Sequence, residues 1–362
     1  MKIQRNYNMD LFRAAAVILV VMYHSWVLTG SIEFRPKVLH MFIQLGGEIG
    51  VTIFFALSGY GIFCSLKKME ASGGLYFWMF LKKRCKRIMP QYYFCLVMTL
   101  LLMDGAYYLS EEQMINVMSH IFFLHNLHPH FHGAINGVLW TMGVIVQFYL
   151  IAIPLYRWIS NHMAVTLICS AGFTICMKAF LYAVVIPNFK TDDFVYFFVG
   201  RQIITALDNF TVGMAVACMI EKRNIILRKW QSWMLFLSAL TGLGLLCRAG
   251  LHYGIHTNNL SGYVWHSLLA LMIMGLMAGG SFIKIDYYGK TSRIFLWVAK
   301  YEYGIYLWHL LFINNLVHKA PMITSLSERG HFGTVFLIFL SISVILGYFM
   351  TCMTDFVCKG CK

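Results

Sequence analysis

Residues 10–28 read DLFRAAAVILVVMYHSWVL, an apolar run with Arg13 near its start and His24 eleven residues later. At about 100° per residue, eleven steps of an α-helix bring His24 to within roughly 20° of the face that carries Arg13, about 16 Å along the axis. That rise is around half of a bilayer's hydrocarbon thickness of ~30 Å. If the helix crosses a membrane, one wall presents a cation near one surface and an imidazole beyond the midplane. Ionisable groups at such depth are costly and generally face a cavity or a partner. On the run alone two readings stand: a headgroup anchor with a hydrogen-bonded interior histidine, or a working pair.

The remainder of the chain decides the class. It has 362 residues, 59% hydrophobic and 12% charged, with mean hydropathy +0.66. A soluble domain carries about 25% charged residues. The reading is therefore all-α, a polytopic integral-membrane helical bundle. Apolar spans recur almost to the last residue, which excludes a signal peptide followed by a soluble body. The net charge of +14 points to cytoplasmic loops and not to nucleic acid. The ten cysteines are mostly scattered singly in apolar segments, where they act as small hydrophobes. Cys358 and Cys361 form a lone CxxC in a short basic tail, a weak metal or redox signal.

About ten spans are expected, at roughly 10–29, 45–65, 91–109, 136–156, 163–186, 203–220, 231–250, 262–283, 293–315 and 332–353. No repeat or long linker divides the chain, so residues 1–362 read as one domain. Placing the N-terminus inside puts 21 of the 29 lysines and arginines on the cytoplasmic side or at its helix ends, Lys2, Arg5, Lys359 and Lys362 among them. By the positive-inside rule both termini are cytoplasmic. His24 and His309 then both lie in the outer halves of their helices.

The densest charge run is FLKKRCKRIMPQYY, residues 80–93, whose Pro90 opens the third span. Arg84 and Arg87, three apart, share a helix face. Two guanidiniums held together suit a doubly charged phosphate, and a basic juxtamembrane anchor on anionic lipid is the plainer reading. The third loop holds His120, His125, His128, His130 and His132. HxH spacing admits metal ligation, but an interfacial loop over the outer mouth is the stronger expectation, and no metal is expected.

Arg13 with His24, FFALSGYGIF at 54–63, RCKRIMP at 84–90, LWTMGVIVQFYLIAIPLY at 139–156, DNFTVGMAVA at 208–217 and YEYGIYLWH at 301–309 occur in register. Together they make the chain resemble acyltransferase family 3 over nearly its whole length. The resemblance implies a ten-helix membrane enzyme of the cell (plasma) membrane that moves an acyl group, usually acetyl, from cytoplasmic acyl-CoA to a hydroxyl of a surface glycan. It implies His24 as the catalytic residue, with Arg13 in the same first-helix signature. Arg84 and Arg87, with Lys83 beside them, correspond to the signature linked to CoA. Ser58 and Gly59 match the SGF/SGY turn, and Tyr306 and His309 match the late YLxH. The acyl donor is then acetyl-CoA, and the partners are acyl-CoA, a glycan acceptor and the bilayer, the chain acting alone or with a partner protein or second copy.

Two departures matter. Ile145 and Val146 stand where many members have carboxylates, and Thr52 where many have Asp. Glu48 and Glu302 are the remaining carboxylates to orient a histidine; Glu302 lies seven residues before His309, about 10 Å below it on its face. Transfer to a sugar hydroxyl needs a base, which a histidine supplies at neutral pH, and donors to the developing oxyanion from among Tyr23, Ser58, Trp140, Gln147 and Tyr306. Direct transfer and an acyl-histidine intermediate both fit, direct transfer being favoured. A glycan flippase would also be a basic-inside bundle, but inverted repeats and paired broken helices are not evident. An inactive membrane partner of a glycan-assembly complex is the other alternative.

Overall fold

The computed structural model describes residues 7–103, 105–108, 110–189, 193–328 and 330–360; Lys2, Arg5, Cys361 and Lys362 lie outside the described residues. The protein is 82% helical, with no strand among the described residues. Its principal helices are α1 (Tyr7–Leu28), α2 (Gly46–Ala71), α3 (Phe77–Leu102), α4 (Glu111–Ile121), α5 (Trp140–Phe180) and α6 (Leu207–Ala217). They continue as α7 (Lys229–Tyr253), α8 (Leu260–Gly280), α9 (Lys290–Lys300), α10 (Glu302–Lys319) and α11 (Phe332–Gly360). Among the described residues, six helical stretches are long and apolar enough to cross a membrane: Tyr7–Leu28, Gly46–Ala71, Trp140–Asn188, Lys229–Tyr253, Leu260–Gly280 and Phe332–Val357.

One expected break coincides with a kink, and two expected boundaries differ from those observed. The expected break between the spans at 136–156 and 163–186 coincides with a kink in α5, where His162 leaves helical geometry (φ −130°, ψ 54°). The polar residues Ser160 and Asn161 lie just before that kink. Pro90 does not open a helix but lies inside α3, so the basic run is itself helical. The span at 293–315 is cut at Tyr301 into α9 and α10. Helix α9 exposes Ile294 and Trp297 beside Lys290 and Arg293, a basic amphipathic pattern suited to lying in an interface plane.

The chain folds as two compact units. One comprises Met1–Arg13, Val51–Leu81 and Val144–Arg293. Its central helix α6 is buried at every position from Asp208 to Ala217. Glycines let α2 and α6 meet backbone to backbone. A Cβ added to Gly59 would sit 2.1 Å from the Phe210 carbonyl oxygen, and one on Gly213 would sit 1.7 Å from that of Ala56. The Ser58–Gly59 pair expected as a turn therefore lies in unbroken helix, its glycine serving close approach. The Phe55 and Phe148 rings stack on Phe210 at centroid distances of 4.7 and 3.9 Å. Helices α7 and α8 form a hairpin that turns at Gly254 (φ +80°), a conformation that favours glycine. The Asn259 side chain caps α8 by accepting from the Gly262 N–H.

The second unit comprises Ala14–Gly50, Lys82–Gly143 and Ile294–Lys362. Here α1 packs on the first turn of α2, where a Cβ on Gly46 or Gly50 would lie 2.7 Å from the carbonyl oxygen of Leu19 or Ala16. Helices α10 and α11 close on each other through Gly304 against Thr351 and Gly347 against Ile305. The Tyr92 and Tyr93 hydroxyls of α3 donate to the carbonyls of His120 and Ile121 at 2.8 and 2.9 Å. These bonds fix the end of α4 against the helix that carries the basic run.

Candidate active site

The site lies in the second unit and begins with the His24 backbone. His24 Nδ1 is 3.0 Å from the Val20 carbonyl oxygen one turn back and 3.1 Å from His309 Nε2. The two rings have centroids 4.9 Å apart and are tilted by 51°. His309 Nδ1 in turn lies 2.6 Å from the Tyr306 carbonyl oxygen. A carbonyl oxygen only accepts, so His309 Nδ1 carries its proton, and in the neutral ring Nε2 is then the acceptor. His24 Nδ1 must therefore donate, a result the Val20 carbonyl requires independently. The lone pair of neutral His24 is thereby assigned to Nε2.

His309 is fully buried, and its helix is held from several sides. The Tyr306 hydroxyl meets Thr141 Oγ1 at 3.0 Å and donates to the Val138 carbonyl at 3.3 Å. The amide of Asn136 donates to the Leu307 carbonyl at 3.1 Å, and the Tyr303 hydroxyl donates to that of Ile88 at 2.9 Å. Tyr23 sets its ring edge-on to His24 at 5.1 Å.

The sequence-predicted residues divide. His24 and His309, read separately from two motifs, are in hydrogen-bond contact. Tyr306 holds His309 through its main chain and the 136–141 loop through its hydroxyl. Glu302 occupies the first turn of α10, where a carboxylate meets the positive end of the helix dipole, two turns from His309. Glu48 occupies the first turn of α2. In the first unit, Arg13 donates to the Asp10 carboxylate on its own helix. Of the basic run, Arg84 is buried at 8% exposure, whereas Lys83 and Arg87 are exposed. Three residues are 60° short of a full turn, enough to put one guanidinium on the packed side and the other outside. Asn136 and Thr141 were missed, since single polar residues in an apolar stretch carry no signal of the carbonyl or hydroxyl they meet.

The third-loop histidines also divide. His120 and His125 are buried and stacked, with centroids 4.1 Å apart and planes 8° from parallel. Their Nδ1 and Nε2 donate to the Asn116 and Leu139 carbonyls at 3.0 Å each. His128 instead stacks on Phe131 at 4.0 Å.

The family model for the acyltransferase 3 domain matches residues 6–352. The chain is 24% identical over 312 residues to "Putative acetyltransferase ORF330" of Acidianus two-tailed virus, covering 85% of this chain and 84% of that protein. It is 29% identical over 153 residues to an O-acetyl transferase of Shigella phage Sf6, covering 39% of this chain and 43% of that protein. No solved structure matches it. Apolar helices, the motifs on them and the nearly full-length match agree: the chain belongs to the acyltransferase 3 family, as a membrane O-acetyltransferase.

Proposed function

We propose that the protein transfers an acetyl group from cytoplasmic acetyl-CoA to a hydroxyl of a surface glycan or its precursor, with His24 as general base. The observation that carries this reading is the His24–His309 hydrogen bond. It sets a neutral imidazole inside an apolar bundle with its lone pair on a defined nitrogen. His24 Nε2 takes the acceptor's hydroxyl proton as that oxygen attacks the thioester carbon. The C–S bond then breaks, and the proton passes from His24 to the departing thiolate, so that ester and free CoA leave with no net proton change.

In this reading about ten spans hold both termini in the cytoplasm of a cell whose plasma membrane houses the enzyme. The exposed Lys83 and Arg87, with Arg84 behind them, receive the CoA phosphates at the cytoplasmic end of α3. The pantetheine arm reaches inward along the bundle to the outer half of α1, where the glycan hydroxyl arrives. Arg13, paired to Asp10, lines the cytoplasmic end of that helix. The test supplies radiolabelled acetyl-CoA to inside-out membrane vesicles from cells with and without the gene. Gene-dependent label in the glycan, released by mild base as expected of an ester, supports the proposal; equal labelling of both samples overturns it.

A further inference from the structure

The two histidines do different work, and the structure divides it between them. We propose that His309 is the positioning residue of His24: a neutral hydrogen-bond acceptor that fixes the tautomer and ring orientation of the base. This inference rests on the reading of His24 as the base.

The geometry runs in one direction. The Tyr306 carbonyl holds the proton of His309 on Nδ1 at 2.6 Å, which leaves His309 Nε2 to accept from His24 Nδ1 at 3.1 Å. The Val20 carbonyl takes a share of the same proton at 3.0 Å. In the opposite tautomer, His24 Nδ1 would point its lone pair at the Val20 carbonyl oxygen, and its proton would sit on the nitrogen that must accept one. The base would then be present but in the wrong form. His309 prevents this, because its own tautomer is set by a main-chain carbonyl that cannot exchange roles.

A neutral partner also suits the place. A carboxylate in the same position would have to be desolvated inside the bundle, and its attraction to a neutral imidazole would not offset that cost. His309 orients without adding charge, and when His24 becomes imidazolium the same nitrogen continues to accept its proton.

The test uses ¹⁵N-histidine-labelled full-length protein in lipid nanodiscs, with the His24 signals identified by their loss in His24→Ala. Wild type should show His24 protonated on Nδ1 with Nε2 bare. His309→Leu, which has no acceptor, should give a mixture of tautomers and lower acetyl transfer in the vesicle assay by about 10²-fold or more. His309→Gln, whose Oε1 reaches the place of Nε2, should restore the Nδ1–H form and keep transfer within about tenfold of wild type. A wild-type His24 protonated on Nε2 would overturn the proposal. So would a His309→Leu protein that folds and keeps the wild-type tautomer. If His309→Leu does not fold, the wild-type spectrum and the His309→Gln pair still decide. The base reading itself fails separately, by an active His24→Ala protein with the tautomers as predicted.

Discussion

Acidification should unlock the cap formed by α4 and the turn after it, because two buried histidines hold it neutral. His120 and His125 stack at 4.1 Å. Burial, reinforced by the charge of His125, pushes His120 down to about 3, and burial pushes His125 down to about 4. Both values lie below the ordinary 6.5, so the folded chain refuses protons that the unfolded chain accepts. Their stability contribution is complete above pH 6.5 and declines as the pH falls from there toward 4. At pH 5 the unfolded state gains about 2 kcal/mol per histidine, hence about 4 kcal/mol for the pair relative to pH 7.5. Denaturant unfolding in nanodiscs, followed by tryptophan fluorescence, reads this directly. His120→Phe keeps a ring in the stack but does not titrate, so it should remove about half of the difference between the two pH values. A wild-type stability that does not fall between pH 7.5 and pH 5, or a His120→Phe slope equal to that of wild type, would refute the reasoning.

Gly213→Ala places a methyl carbon 1.7 Å from a main-chain oxygen and should destabilise the protein by on the order of 3 kcal/mol or more. Gly61→Ala meets nothing within 4 Å and should be near neutral in the same unfolding assay; equal effects would contradict the close approach of α2 and α6. Arg87→Ala should weaken acetyl-CoA binding about tenfold, a loss that shrinks at high salt, while Arg84→Ala should lower folding stability as well because that side chain is packed; unchanged calorimetric affinity in Arg87→Ala would reduce the run to an anchor. Single cysteines beside Lys68 and Lys222 should resist membrane-impermeant reagents and those beside His130 and His256 should react, the reverse pattern inverting the topology.

How far the fold was legible follows the physics of each segment. Helix α1 was expected at 10–29, and α7 and α8 at 231–250 and 262–283; each agrees to within three residues or fewer, because an apolar run of bilayer length ends where polarity returns. The kink inside α5 at His162 was legible, since the drop in hydropathy at Ser160 to His162 falls between the two expected spans. The cut at Tyr301 was hidden for the opposite reason: α9 and α10 adjoin with no proline or turn sequence between them. For the site, helix length and topology placed His24 and His309 at similar depths, but their contact depends on how α1 and α10 pack, which no pattern within either helix reports. The spacing of Arg84 and Arg87 gave their angular relation and not which of them faces inward. The Tyr306 and Val20 carbonyls, which fix the tautomers, are main-chain groups that no side-chain pattern reports.

The central claim is that His24 accepts the proton during transfer. It is tested most directly by comparing His24→Ala with wild type in one preparation, for acetyl-CoA affinity by calorimetry and for acetyl transfer from labelled donor. Only the proton-accepting group is removed, so transfer should fall by about 10²-fold or more while affinity for acetyl-CoA stays within about twofold of wild type. Transfer at a near wild-type rate in His24→Ala would contradict the account and move the base elsewhere.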